Sequence, residues 1–182
     1  MFDKQKFFDV AVDGIRRQGK RAVVEGSCAY RTSDGCRCAV GHNIPDEEYS
    51  EDMENLPGSR VILGRQPLTL RLGVDNYYRV ALLSEAALRG NPLPGGDKRQ
   101  VAQFVDQLQA CHDGACGSDF YPPYYHCYGP GTASSIGKLT ALPLADQERH
   151  VEQAFERFAK RWGLTYTPGS WAKPEAPSNS DG

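Results

Sequence analysis

The 182-residue chain lacks the features that mark a membrane, secreted or nucleic-acid-binding protein. No stretch approaches the roughly 18 consecutive apolar residues that a membrane span needs. The N-terminal residues carry charges where a signal peptide needs an apolar core. The formal net charge is −2, so no basic excess is present to attract nucleic acid or an anionic membrane. We therefore expect a cytoplasmic protein that binds neither nucleic acid nor a membrane.

Several catalytic and metal-binding motifs are also missing. The six cysteines include no Cys-x-x-Cys pair, which is the common spacing of a structural zinc site. A phosphate-cradling Gly-rich loop, a Ser nucleophile elbow and a His-Glu-x-x-His zinc motif are absent as well. In a reducing cytoplasm the cysteines are expected as free thiols or metal ligands rather than as disulfides.

The residues that are present predict a single α+β domain. Hydrophobic residues make up 40% of the chain, enough for one ordinary core. The patterns predict about five helices packed around a small antiparallel β-hairpin sheet. This compact domain spans residues 1–167 and contains an irregular loop, rich in cysteine and aromatic residues, at 114–137. The Pro/Ser/Gly-rich tail at 168–182 is predicted to be disordered.

The helices are predicted from apolar residues at helical spacing. They span residues 3–18, 45–55, 76–89, 97–113 and 144–162, whereas residues 57–75 fit either a strand or a buried loop. Four basic residues crowd the end of the first helix: Arg16, Arg17, Lys20 and Arg21. We interpret them as a solvated helix end, where cations favour the negative end of the helix dipole.

A cysteine-rich hairpin follows the first helix. Segments 28–31 and 37–40 flank the turn Thr32-Ser-Asp-Gly35, in which Gly35 can adopt positive φ. Side chains alternate across a strand, which puts Cys38 and Val40 together on the buried face. Pro45 and the carboxylates after it then predict the start of the next helix.

The hairpin also carries a family resemblance. Its residues read Cys28-x-Tyr-Arg, Asp34-Gly-x-x-Cys38-Ala-Val-Gly41 and Ile44-Pro-Asp-Glu-x-Tyr49-x-x-x-Met-Glu54, and a later helix ends Leu108-Gln-Ala-Cys-His112-Asp113. These motifs resemble a family of small phage- and prophage-encoded proteins of unknown function. The resemblance covers residues 5–55 and 100–113. It implies a viral or prophage product acting inside a bacterial cell, and it brings no assigned activity.

A cysteine nucleophile is one functional hypothesis. Cys38 on the hairpin, with His112 and Asp113 at a helix end, supplies the residue types of a Cys–His–acid site. Such a site needs the imidazole within hydrogen-bond reach of the sulfur, so that a thiolate can form. The alternative is structural: Cys38 packs as a small hydrophobic residue, and His112 bonds to carbonyl groups at the helix end.

A structural zinc ion is a second hypothesis; otherwise no cofactor is expected. Tetrahedral zinc takes four cysteine or histidine ligands. Suitable residues occur in the hairpin (Cys28, Cys36, Cys38 and His42) and around the irregular loop (Cys111, Cys116, His126 and Cys127). The loop set is the better candidate, because a loop without its own core gains most from a metal. The alternative is that its thiols are incidental.

The irregular loop is also the predicted contact surface. Its tyrosines Tyr121, Tyr124, Tyr125 and Tyr128 bring large contact areas at little entropic cost, which suits a protein interface. Stacking on nucleic-acid bases would need interleaved basic residues, which are missing. The acidic cluster at 46–54 is interpreted as a solvated helix face, rather than as an ion site or a mimic of phosphates.

These observations favour a non-enzymatic function. We expect a phage or prophage accessory protein, located in the cytoplasm of the bacterial host, that binds and modulates a host or phage protein. An anti-defence or host-takeover role follows by analogy with the family. Two alternatives stay open: a small cysteine-dependent enzyme using Cys38 and His112, and a zinc-stabilised binding module.

Overall fold

The computed structural model describes residues 2–54, 56–63, 98–114 and 137–173. In this part of the chain the helices are α1 (Lys4–Gln18), α2 (Gly58–Leu63), α3 (Lys98–Asp113) and α4 (Leu144–Trp162). The strands are β1 (Val23–Val24) and β2 (Ser27–Cys28), and 3₁₀ turns span Gly41–Asn43, Asp46–Glu48 and Glu51–Met53. The α+β class is as predicted, and these four α-helices of the described residues compare with about five predicted for the chain; the helix predicted at 76–89 lies outside the described residues.

Helix α1 begins and ends where its sequence predicts. The Asp3 side chain accepts a hydrogen bond from the backbone N–H of Lys6 at 2.9 Å, which caps the N-terminus. Gly19 adopts a left-handed conformation (φ 69°), and its N–H donates to the carbonyl of Ile15. The apolar face of the helix is buried through Phe7, Phe8, Ala11, Val12 and Ile15.

An aromatic core joins α1, α3 and α4. It consists of Phe7, Phe8, Phe104, Phe155, Phe158 and Trp162. The ring of Phe104 lies 5.0 Å from that of Phe158 and 5.2 Å from that of Trp162, both edge-to-face. The ring of Phe8 stacks on Phe158 at 5.6 Å. Such pairs add to the hydrophobic gain from burial, so the core fixes how the three helices pack.

The two-stranded sheet is smaller than the predicted hairpin and lies earlier in the chain. Strands β1 and β2 pair antiparallel, with Val23 opposite Cys28 and Val24 opposite Ser27. The turn between them is Glu25-Gly26, and both residues have positive φ (50° and 76°), as a two-residue hairpin turn requires.

The predicted pairing of segments 28–31 and 37–40 is wrong as a strand ladder. A single bridge joins Arg31 to Arg37. Side chains take the backbone donors that a ladder would use: the N–H groups of Tyr30 and Arg31 donate to the carboxylate of Glu54, at 3.0 and 3.1 Å. The N–H of Arg37 donates to Oε1 of Gln18 at 2.9 Å. These local bonds compete with strand pairing, and they prevail here.

The helix predicted at 45–55 is also wrong. Two 3₁₀ turns replace it, because Tyr49 and Ser50 between them have extended backbone angles. Most of the acidic residues there are exposed, as the sequence predicts: Asp46, Glu47, Glu51 and Asp52. Asp46 pairs with Arg31 and Arg37, and Glu54 accepts the backbone bonds described above together with one from the hydroxyl of Tyr49.

The segment after α4 contacts the domain at Trp171 and Ala172, whereas the sequence predicts disorder from residue 168. Trp171 is buried, and its indole N–H donates to Glu152 at 3.2 Å. The N–H of Ala172 donates to the carbonyl of Arg16 at 2.7 Å. Arg16 in turn makes a two-pronged ion pair with Glu152, with N···O distances of 3.0 and 2.6 Å, so it is not the solvated side chain predicted.

None of the helices in the described part of the chain is both long enough and apolar enough to cross a bilayer.

Candidate functional site

The C-terminal end of α3 brings three polar side chains to the irregular segment at 22–41. Gln109, His112 and Asp113 are spaced three and four residues apart, so they lie on one face of the helix. All three are buried, with His112 at 0% exposure. Buried polar groups need hydrogen-bond partners, and each of the three has them. We call this group the polar clamp.

Both ring nitrogens of His112 are occupied. The backbone N–H of Ala22 donates to Nε2 at 3.3 Å, and Nδ1 lies 2.8 Å from Oδ1 of Asp113. Nε2 is therefore the unprotonated nitrogen, and Nδ1 carries the proton and donates it to the carboxylate. Burial lowers the pKa of His112, opposed by the Asp113 carboxylate. The ring is held as a single neutral tautomer.

Gln109 links the helix to two points of the segment. Its Oε1 accepts the backbone N–H of Val40 at 3.2 Å. Because this partner is a donor, the amide atom that faces it must be the oxygen. The amide nitrogen Nε2 then donates to the sulfur of Cys28 at 2.7 Å and to Oδ1 of Asp113 at 3.0 Å. The amide therefore uses both of its protons and its oxygen within the clamp.

Two free thiols border the clamp. Cys28 is half-buried, and its sulfur lies 3.8 Å from Nδ1 of His112. Cys38 is fully buried and accepts the backbone N–H of Gly41 at 3.3 Å. Burial, followed by the neighbouring Cys38 and Asp113, raises the pKa of Cys28 well above its usual value.

This arrangement differs from a cysteine–histidine nucleophile. In such a site the carboxylate and the thiol take opposite nitrogens of the ring, so that one nitrogen is free to accept the thiol proton. Here both Cys28 and Asp113 face Nδ1, which is already protonated, while Nε2 is directed at Ala22. His112 has no free lone pair for either thiol.

The same contacts oppose a metal ion in this arrangement. The ligand atoms of Cys28, His112 and Asp113 lie within 4.8 Å of one another, as in a metal site. However, the amide nitrogen of Gln109 lies between the Cys28 sulfur and the Asp113 oxygen, at 2.7 and 3.0 Å. A metal at Nδ1 would also move the imidazole proton to Nε2, against the Ala22 N–H. The residues fit a hydrogen-bonded clamp better than a metal centre.

Arg21 is a buried side chain near the clamp whose hydrogen-bond donors are only partly satisfied among the described residues. It is 6% exposed, and Nη2 makes a long contact of 3.4 Å with Oγ1 of Thr140. Its Nε and Nη1 are buried without a hydrogen-bond partner in the described part of the chain. Burial lowers its pKa, and the nearby Asp113 and Cys28 oppose that shift. The solvated helix end predicted from the sequence is wrong for this residue.

The predicted catalytic residues come together only in part. His112 contacts Asp113, as the hypothesis requires. The thiol that the structure places next to His112 is that of Cys28, whereas the Cys38 sulfur accepts the backbone N–H of Gly41. The predicted burial of Cys38 is confirmed at 0% exposure. Ala39 is equally buried, which strand alternation does not predict.

The loop set proposed for zinc is described only at Cys111. That thiol is buried and donates to the carbonyl of Ala154 on α4 at 3.6 Å. The remaining predicted ligands and the predicted contact residues lie outside the described residues: Cys116, His126 and Cys127, and Tyr121, Tyr124, Tyr125 and Tyr128. Both predictions therefore stay predictions.

Sequence reasoning missed Gln109 and Arg21 as parts of this region. The signal for Gln109 was available, because Gln109, His112 and Asp113 share the spacing of one helix face. The sequence carries no signal for the burial of Arg21, because a position after a helix end is typical of a solvated cation.

Comparison of the chain with protein-family models, with curated proteins and with solved structures found no match. Any functional assignment therefore depends on the residues and geometry described above.

Proposed function

We propose that this chain is a non-enzymatic accessory protein of a phage or prophage that binds and modulates a host protein. The observation that carries the proposal concerns the irregular loop. Its two flanks meet: a Cβ atom on Gly114 would lie 2.4 Å from the side chain of Leu139. The residues that flank segment 115–136, which contains five aromatic residues, therefore lie next to each other. Loops anchored in this way on a rigid scaffold commonly carry binding residues.

The polar clamp supports the same proposal. His112 and Asp113 are the residues that a cysteine–histidine site would need, and the hydrogen bonds of His112 and Gln109 instead hold α3 against the segment at 22–41. The motif that carries the family resemblance thus has a structural use. Anti-defence or host-takeover activity is the form of modulation that the resemblance suggests.

The test is capture of a bacterial protein followed by measurement with the purified partner. The variant changes Tyr124, Tyr125 and Tyr128 together to alanine. We expect its affinity for the partner to fall about 100-fold or more, because buried interface tyrosines often contribute 2 kcal/mol or more each. Unchanged affinity would contradict the proposed interface.

A matched control variant changes three residues exposed on α4, Gln153, Glu156 and Lys160, to alanine. Alanine favours helix, so this variant should fold and bind as the wild type does. Circular dichroism melting of both variants separates a lost interface from a lost fold.

The two alternatives predict different results. A zinc-stabilised module would contain about one equivalent of zinc after purification in metal-free buffer, held by Cys111, Cys116, His126 and Cys127. A cysteine-dependent enzyme using Cys38 and His112 would show rapid alkylation of Cys38 in the folded protein. We expect Cys38 to be alkylated only on unfolding, because it is fully buried.

A further inference from the structure

Residues 164–173, which we call the return segment, lie in a groove between α1 and α4 without regular secondary structure. Near the start of α1, the Gln5 side chain makes two hydrogen bonds with the backbone of Thr165, at 2.8 and 3.0 Å. Beyond the end of α1, a Cβ atom on Gly19 would lie 2.0 Å from the carbonyl oxygen of Ala172. The return segment therefore follows α1 from one end to the other.

Trp171 is the anchor of the return segment. It is 5% exposed, whereas its neighbours Ser170 and Ala172 are exposed. Its backbone N–H donates to Glu148 at 2.8 Å, and its indole N–H donates to Glu152 at 3.2 Å, so both of its donors are paired with carboxylates of α4. A buried indole with a paired N–H, set between exposed residues, is typical of the anchor residue of a bound peptide.

The walls of the groove are joined by contacts in which the return segment takes no part. Arg16 of α1 makes its two-pronged ion pair with Glu152 of α4, and the ring of Phe8 stacks on that of Phe158. The return segment adds further donors to the same carboxylate, among them the hydroxyl of Tyr166. Because α1 and α4 hold each other directly, we expect the groove to persist when the return segment leaves it.

A single glycine connects α4 to the return segment. Gly163 adopts a left-handed conformation (φ 65°), and its N–H donates to the carbonyl of Ala159. In the described part of the chain, no atom lies within 4 Å of a Cβ atom built on Gly163. A larger residue there would strain the backbone without disturbing the packing. The backbone at Gly163 therefore controls whether the segment folds back onto its own chain.

We propose that the groove between α1 and α4 is a peptide-binding site that accepts the return segment of a second copy of this chain in place of its own. The groove contacts are the same in the monomer and in the exchanged dimer, so the balance between them depends on the connection at Gly163 and on protein concentration. A tethered segment competes at an effective concentration on the order of millimolar. The wild type is therefore expected to be monomeric at micromolar concentration. This inference is independent of the proposed binding of a host protein.

A fluorescent synthetic peptide of residues 164–173 tests the groove in the full-length protein. Trp171→Ala removes the anchor of the chain's own segment, so this variant should bind the peptide at least about tenfold more tightly than the wild type, in which that segment competes. The same peptide carrying Trp171→Ala should bind about 30-fold more weakly. The matched control, Ser170→Ala in the protein, keeps the anchor and should bind as the wild type does. Failure of the peptide to bind the folded Trp171→Ala protein, or equal binding of both peptides, would overturn the proposal.

Sedimentation equilibrium of Gly163→Val tests the exchange between copies. Valine disfavours the left-handed conformation that turns the chain back, so this variant should dimerise at a protein concentration at least about tenfold lower than the wild type. Adding Trp171→Ala should return it to a monomer. A Gly163→Val protein that dimerises no more readily than the wild type, or a dimer that survives the loss of Trp171, would contradict the exchange. Gly163→Val alone retains the anchor, so it decides the question if Trp171→Ala fails to fold.

Discussion

The aromatic core and the polar clamp hold opposite ends of the same helix, α3, by different means. Toward its start, Phe104 packs edge-to-face between the rings of Phe158 and Trp162. At its end, Gln109 and His112 hold irregular backbone through hydrogen bonds to Val40 and Ala22. The core is governed by shape and buried area, so a similar apolar side chain can replace another. The clamp is governed by donors and acceptors, each of which needs its partner.

This difference sets which substitutions each region tolerates. A smaller apolar residue in the core loses packing in proportion to the volume removed. An apolar residue of equal size in the clamp keeps the volume and leaves buried polar groups unpaired. The three predictions below use this contrast.

The largest loss of stability is expected for Phe104→Ala. It removes a fully buried ring that contacts Phe2, Phe7, Phe158 and Trp162. The free energy of unfolding, measured by urea denaturation, should fall by about 3–5 kcal/mol. Phe104→Leu should recover more than half of that loss, because it refills most of the volume. A loss as large for leucine as for alanine would show that the ring itself, and not its volume, is required.

The next largest effect is expected for Gln109→Met, which keeps the length of the side chain and removes its amide. The Val40 N–H then loses its acceptor, and Asp113 and Cys28 each lose a donor. We expect the free energy of unfolding to fall by about 2–3 kcal/mol, although no volume is lost.

The matched control for this prediction is Gln103→Met, at a partly exposed position on the same helix. It should change the stability by less than about 0.5 kcal/mol. Equal effects at the two positions would mean that the amide of Gln109 contributes nothing beyond its packing.

The same contrast explains which parts of the structure could be predicted from the sequence. Helices α1 and α4 were predicted to within a residue, because Phe8, Ile15, Val151 and Phe158 recur at helical spacing between clear helix ends. Burial of an apolar face is a local, periodic property, and a single sequence displays it.

The clamp could not be predicted in this way. The partners of Gln109 are the backbone of Val40 and the sulfur of Cys28, which are far away in the sequence and follow no period. For the same reason the predicted hairpin failed: nothing local shows that Glu54 will take the N–H groups of Tyr30 and Arg31. Residue types alone suggested a nucleophile at Cys38, and geometry alone showed which nitrogen of His112 is protonated.

The smallest expected effect is a pH dependence that the aromatic core cannot produce, because its phenylalanine and tryptophan rings do not titrate. His42 packs on α1 so closely that a methyl group at Gly14 would lie 2.3 Å from Nδ1. Its Nε2–H donates to Oε1 of Gln18 at 3.1 Å. Burial, with the positive charge of Arg37, lowers the pKa of His42 from 6.5 to about 4.

The sign of the effect follows from proton binding. Between pH 6.5 and about 4 the unfolded chain binds a proton at His42 and the folded protein does not, so the free energy of unfolding falls as the pH falls. The loss should be on the order of 2 kcal/mol after allowance for partial exposure, and it levels off below the folded pKa. His112, whose pKa is also lowered by burial, adds a loss of the same sign.

The measurement is urea denaturation at several pH values between 4 and 8, with His42→Gln and with His150→Gln, which replaces a histidine exposed on α4. Glutamine can still donate to Gln18 but does not titrate, so His42→Gln should reduce the fall in stability and leave the part due to His112. His150→Gln should follow the wild type. If both variants keep the wild-type pH dependence, His42 is not held neutral in the folded state, and the 3₁₀ turn at Gly41–Asn43 is less tightly packed on α1 than the approach of His42 to Gly14 implies.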